Sequence, residues 1–233
     1  MPTVPTSRQA AGAQLLNQLD STGYTWADTR NAATATGPSP ISGQTMSVQA
    51  YKITGGRGNY WVIGRPTFGF DFSSVSGTIT SMTLKLYKGT TTTIVSDVIV
   101  VKNSNTWASL PASDDYDVDL GTAYSSAFSM NSAGGLGDLK SVTLNSTAMS
   151  DAVGNSDFNI AIVDKDYDYD NVAPTGLRID QCVFYFYDVT YYPRIEYTAV
   201  TGYGNTVMGV VSANIGEVTG VATANIGKVI GVQ

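Results

Sequence analysis

The chain has 233 residues and a formal net charge of −6, and charged side chains make up only 14% of it, against roughly 25% in an average globular protein. It contains no histidine and a single cysteine, Cys182, which excludes Ser-His-Asp and Cys-His catalysis, the commonest zinc ligand and any intrachain disulfide. No basic cluster extends beyond the Lys85/Lys88 neighbourhood, so the phosphate-neutralising face of a nucleic-acid binder is missing and no nucleic-acid partner is expected.

The missing charge is replaced by Ser, Thr, Gly, Asn and Tyr, a composition that favours strands and turns over helical surfaces. Residues 1–45 read as an N-terminal arm. The first six residues lack the charged-then-apolar pattern of a secretory signal. No apolar run approaches the roughly 20 residues that span a bilayer, so no membrane partner is expected. Ser7 is placed to cap a short helix through Ala10, Leu15, Leu16 and Leu19, whose spacing suits one helical face. Residues 31–43 form a small-residue, proline-containing stretch that cannot bury enough to fold alone. It is a linker, or an arm that packs on something else.

From about residue 46 to residue 198 the apolar period becomes two. Phe68, Phe70 and Phe72 alternate with Thr67, Gly69 and Asp71, and Met82, Leu84 and Leu86 with Thr83, Lys85 and Tyr87. Phe158, Ile160 and Ile162 alternate with Asn159 and Ala161, and Tyr191, Pro193, Ile195 and Tyr197 with Tyr192, Arg194 and Glu196. Successive strand side chains point to opposite faces, so each run is expected to bury one face and wet the other. Residues 98–101 and 182–187 are apolar on both faces and predict central or doubly covered strands. Such strands, separated by Gly-, Ser- and Asn-rich turns, predict an all-β, antiparallel sandwich or barrel over residues 46–198. One interruption reads as a helix over residues 146–153, with Asn145 as its cap and Gly154 at its end; a strand followed by a loop is the alternative.

Residues 199–233 form a repeat tail. GVVSANIGEVT at residues 209–219 is followed by GVATANIGKVI at residues 220–230, a period of eleven. That period also marks right-handed coiled coils, but two glycines per unit cost a helix about 1 kcal/mol each. Short strands joined by Gly or Asn turns fit better. Repeat units cannot bury their apolar face alone, and about three stacked copies are usually needed. Val210, Ile215, Val218, Val221, Ile226 and Val229 therefore call for partner chains or a partner groove, unless the tail is left unordered.

Residues 65–74 (RPTFGFDFSS) and 77–87 (GTITSMTLKLY) resemble the opening strands of the DNRLRE-type β-sandwich domains. Residues 144–149 (LNSTAM) resemble that family's helix start, residues 158–163 (FNIAIV) the strand after it, and residues 192–197 (YPRIEY) its closing strand. The likeness runs in order over about residues 60–198. It implies a jelly-roll sandwich related to carbohydrate-binding modules, of a kind found on bacterial surface proteins and in phage structural proteins. The ANIGKV-type repeat is similar to tails of phage structural proteins. Together these imply a non-enzymatic bacteriophage virion component, assembled in the host cytoplasm, whose partners are other virion proteins and further copies of itself. A carbohydrate-binding module recognising a host surface glycan is the alternative.

Residue chemistry adds weaker candidates. Asp164, Asp166, Asp168 and Asp170 alternate with Lys165, Tyr167 and Tyr169. Carboxylates crowded in a loop suit calcium, although the EF-hand Gly and Glu are absent; a solvated acidic loop is the plainer reading, and no other cofactor is expected. Trp107, Tyr167 and Tyr169 would offer a sugar flat apolar rings with polar tips, or merely line the sandwich rim. Asp114, Asp115, Asp117 and Asp119 would have to face the second cluster to serve as a glycosidase pair, and acidic residues are common in turns for local hydrogen-bonding reasons.

Overall fold

The computed structural model describes residues 3–5, 13–39, 45–55, 58–89, 97–106, 116–130, 137–175, 181–185, 191–200, 217–218 and 221–222. Their structure is predominantly antiparallel β-sheet. One sheet runs in the order β1 (Thr3–Pro5), β12 (Arg194–Val200), β6 (Thr78–Tyr87) and β9 (Leu139–Thr143). The larger sheet runs β11 (Gln181–Tyr185), β4 (Thr45–Gly55), β5 (Gly58–Phe70), β10 (Phe158–Asp164), β7 (Val98–Lys102) and β8 (Asp119–Ala123). Two further strands, β2 (Ala13–Asp20) and β3 (Gly37–Ser39), join it off this path.

Both sheets feed one core, which makes the body sandwich-like. Phe68 and Phe70 of β5, Val98 and Val100 of β7, and Phe158, Ile160 and Ile162 of β10 meet Met82, Leu84 and Leu86 of β6 and Ile195 of β12. These follow the period of two read from the sequence. Phe72, just past β5, closes one end edge-on to Phe158 at 5.5 Å, and each such buried ring is worth about 1.5–3 kcal/mol.

Only some strands behave as half-wet. β6 buries Met82, Leu84 and Leu86 and leaves Thr83, Lys85 and Tyr87 partly exposed, as expected. In β5 and β10 the alternate positions are buried too, including Thr67, Asn159 and Ala161. The cause is a second layer on the outer face of the larger sheet. Helix α1 (Trp26–Arg30) brings Trp26 and Ala35 against Ala50, Ile63 and Tyr116, while Val118 and Tyr169 pack with Ile99, Val101, Ala161 and Val163. Residues 98–101 are doubly covered, as their composition predicted. In contrast, β11 stands at the end of its sheet, and β4 is its one strand partner among the described residues.

The helix expected through Ala10, Leu15, Leu16 and Leu19 is overturned from residue 13 on, and its start at residues 7–12 lies outside the described residues. Residues 13–20 are β2, paired in continuous register with residues 60–67 of β5. An open strand edge offered eight residues of backbone pairing, and that outweighs the weak local preference of a leucine-containing segment. β5 can accept it because β10 covers the same edge only at residues 67–70, with β4 along the other edge. The stretch read as an arm thus supplies strands to both sheets, β1 pairing with β12 and β3 with β2. Its helix lies later, at α1, where Thr25 and Asp28 form a reciprocal capping box.

Arg65 fastens the outer layer. Its side chain is about 1% exposed, yet each of the three guanidinium nitrogens has an acceptor. Nε and Nη2 donate to the two Asp168 carboxylate oxygens at 2.8 and 2.7 Å, a bidentate fork. Nη1 donates to Tyr116 O at 3.0 Å and Nη2 also to Arg30 O at 2.9 Å, and the Tyr116 ring lies 4.2 Å away. Burial alone would lower the Arg65 pKa, but the Asp168 charge and its hydrogen bonds hold it above its ordinary value. One side chain therefore ties β5 to α1, to the 116 segment and to the turn at Asp168.

Candidate functional site

A polar cleft of about 500 Å³ opens where β7 ends and β10 begins, beside helix α2 (Ser146–Ala152). The first wall begins at Asn103. Its backbone N–H donates to Asn159 O, which extends the β7–β10 pairing, and its Oδ1 accepts from Asn105 N at 2.9 Å, which turns the chain. Asn159 Nδ2 then donates to Asn105 O at 2.7 Å, and Asn105 Nδ2 to Asp117 O at 2.8 Å. Asparagines that look like loop filler in the sequence are the fasteners of this wall.

The second wall is the end of α2. Asn145 caps the helix by accepting from Ala148 N, and Gly154 leaves it at a φ of +69°, a conformation in which a side chain is strained. This bears out the helix expected at residues 146–153. Asn155 Nδ2 donates back to Asp151 O, and Asn155 Oδ1 accepts from Asp157 N. The floor between the walls is an ionic cluster. Asp151 Oδ2 accepts from the Tyr124 hydroxyl at 2.6 Å and from Lys102 Nζ at 2.9 Å, and both charged side chains are about one-third exposed.

Burial alone would raise the Asp151 pKa, but the Tyr124 hydroxyl and Lys102 hold it below the ordinary carboxylate range. Tyr124 is pushed well above a normal phenol, first by burial and then by its bond to the Asp151 carboxylate. Near neutral pH Asp151 is therefore a fixed carboxylate and Tyr124 a fixed phenol donor. Such groups hold hydrogen bonds well and exchange protons poorly, since a general acid or base works best with a pKa near the working pH.

The aspartates singled out in the sequence lie elsewhere. Residues Lys165–Tyr169 form a single π-helical turn, opened by Asp164, whose side chain accepts from Tyr167 N at 2.8 Å. It is closed by bonds from Asp170 N to Lys165 O and from Val172 N to Tyr167 O, five residues apart. This winding sends the four carboxylates apart. Asp164 caps the turn, Asp168 is buried on Arg65, Asp170 binds Lys165 Nζ and Asp166 faces solvent. The four carboxylates therefore do not converge on one point, and among the described residues no group of three or more His, Cys, Asp or Glu is placed to hold a metal ion.

Tyr167 packs against the Trp26 cluster and Tyr169 against the Ile99 cluster, with Lys165 Nζ 5.4 Å from the Tyr169 ring. The two rings serve different parts of the outer layer and do not make one sugar-stacking face. Trp107 lies outside the described residues, as do Asp114 and Asp115. Asp119 spends both oxygens on its own turn, accepting from Gly121 N and Thr122 Oγ1. In the tail, Val218 pairs with Val221 in a short antiparallel pair, β13 (Glu217–Val218) with β14 (Val221–Ala222). Val210, Ile215, Ile226 and Val229 lie outside the described residues.

Neither Asp151 nor Lys102 was singled out by sequence reasoning. The one available signal was a lysine ending the apolar run of β7, which reads equally well as a strand end turning to solvent. Arg65 carried a clearer one. A charge inside a strand that is otherwise buried needs a buried partner. No protein-family model matches the chain, and no curated protein matches it.

Proposed function

We propose that the protein is a structural component of a bacteriophage particle, a jelly-roll sandwich that assembles with neighbouring subunits through its C-terminal repeat. The observation that carries this reading is the repeat itself. Two eleven-residue copies present Val210, Ile215, Val218, Val221, Ile226 and Val229 at matched positions, too few units to shelter one another. The likeness of residues 60–198 to the DNRLRE-type sandwich domains, and of the repeat to phage structural tails, supports the virion setting. The alternation of β5, β6, β7, β9, β10 and β12 between the two sheets is the kind of crossing a jelly roll requires, and supports that topology.

The end of β12 also favours this reading. β12 ends at Val200, which is 41% exposed and pairs with Thr78. Thr78 lines a groove of about 410 Å³ whose apolar walls are Ile79, Met149 and Val153. An apolar groove that no described residue covers, at the end of the last strand before an apolar repeat, suits subunit contacts better than a solvated tail. The test is the size of the full chain in solution against a chain lacking residues 205–233. The full chain self-associates, and the shortened chain is a monomer with unchanged sheet content and melting temperature. A full chain that stays monomeric at every concentration, with the repeat amides protected from exchange, overturns the proposal.

A further inference from the structure

We infer that the groove between the start of β6 and helix α2 receives one unit of the eleven-residue repeat of a second copy, laid in as an extended strand. The inference rests on the assembly reading above and names where on a neighbour the repeat lands.

β6 is covered unevenly. β12 pairs with it over residues 78–85, but β9 pairs only with residues 83–87, with one further bond from Leu144 N to Met82 O. Residues 78–81 thus have a strand on one side and none on the other among the described residues. Thr78, Thr80 and Ser81 are exposed, whereas no residue of β6 from Met82 onward is. Sheet edges are commonly blunted by charge or proline, and this stretch carries neither. It does carry a bulge where it meets Thr198 and Ala199, so the backbone pairing on offer is short and side-chain burial must supply the rest.

Helix α2 offers that burial. It turns Ala148 and Ala152 into the core. Ser146, Met149, Ser150 and Val153, spaced i, i+3, i+4 and i+7, form a second face, which lines the groove of about 410 Å³ opposite Thr78 and Ile79. Gly77, at a φ of +86°, leaves the mouth without a side chain. No charged residue lines the groove.

The repeat suits such a place. Its described part is extended, with Glu217 and Val218 paired to Ala222 and Val221. Each unit carries one charge, Glu217 or Lys228. In an extended unit Val211, Ala213 and Ile215 share one face, and Ala222, Ala224 and Ile226 share it in the second. Two smaller residues beside one isoleucine fit strand addition, in which alternate side chains enter the groove and the backbone pairs with the edge. Residues 201–233 follow β12, which ends opposite Thr78 on the other edge of β6. A first unit that stayed on its own body would have to round that strand end and then run parallel to β6. A neighbour's unit can enter antiparallel, the more stable pairing.

The experiment measures self-association of the full chain by light scattering over a concentration series, with amide shifts followed in the same samples. The parent associates, and the shifts fall on residues 77–81, on residues 146–153 and on the repeat. Ser150→Arg and Thr78→Lys, both at exposed positions, put a charge into the groove. Each weakens association by about tenfold or more with the melting temperature unchanged. Thr147→Arg, exposed on the same helix but outside the groove, associates as the parent does. If deleting residues 205–233 abolishes association while Ser150→Arg and Thr78→Lys leave it intact, this inference falls and the assembly reading stands. A full chain that is monomeric at every concentration removes both. A monomer whose groove amides shift when residues 205–233 are deleted shows the chain's own repeat filling the groove, and overturns the second copy as its occupant.

Discussion

Replacing Asp168 with Ala tests the claim that one buried ion pair holds the outer layer to the sandwich. The change removes two charge-assisted bonds, at 2.7 and 2.8 Å, from a guanidinium whose side chain is 1% exposed. Stranding one partner of a buried pair costs about 3–5 kcal/mol. Arg65 keeps two carbonyl acceptors, Tyr116 O and Arg30 O, so the lower end, about 3 kcal/mol, is expected. For a chain of this size each kcal/mol shifts the melting temperature by about 2–4 °C, which makes the expected loss about 6–12 °C. Arg65→Lys does not escape it, because a single ammonium cannot reproduce a fork that meets a carboxylate and two carbonyls at once. Thermal unfolding followed by tryptophan fluorescence reads the event where it happens, since Trp26 and Trp61 pack edge-on at 5.7 Å in the layer that would loosen. A shift below about 2 °C for Asp168→Ala, or an Arg65→Lys protein as stable as the parent, refutes the reasoning.

Two further predictions concern the cleft and its helix. Because the folded Asp151 pKa lies below its ordinary 3.8, ionised Asp151 stabilises the fold above the ordinary carboxylate range, and that contribution is lost as pH falls through the depressed value. Melting temperature measured downward from about pH 6 should therefore drop less steeply below about pH 4 in Asp151→Asn than in the parent; identical slopes would sink the assignment. Asn145→Ala removes the cap bond to Ala148 N and the side-chain bond to Ala123 O, a loss of about 1–2 kcal/mol in urea unfolding. Asn145→Asp keeps the cap and should recover about half of it, and a full loss in the Asp variant would show that the cap is not what matters.

What could be read from the sequence was whatever neighbouring residues encode together. The alternation of Met82, Leu84 and Leu86 set the faces of β6, and the run at residues 98–101 announced a doubly covered strand. Asn145 and Gly154 bracketed α2 because cap chemistry is local. The same logic failed for residues 13–20, where three leucines fit a helical face as well as a strand and only the free edge of β5 chose between them. It failed again at Asp164, Asp166, Asp168 and Asp170, whose even spacing suggested a shared site until the π-helical turn separated them.

The all-β body, most of its apolar faces and the apolar repeat were thus determined by the sequence alone, since period and composition are properties of short segments. Tertiary structure alone decided the double burial of β5 and β10, the Arg65–Asp168 fork and the cleft. Their partners lie far apart in the chain, 103 residues for Arg65 and Asp168 and 49 for Lys102 and Asp151. No local pattern relates such residues; only the stacking of one layer on another brings a charge to its counter-charge.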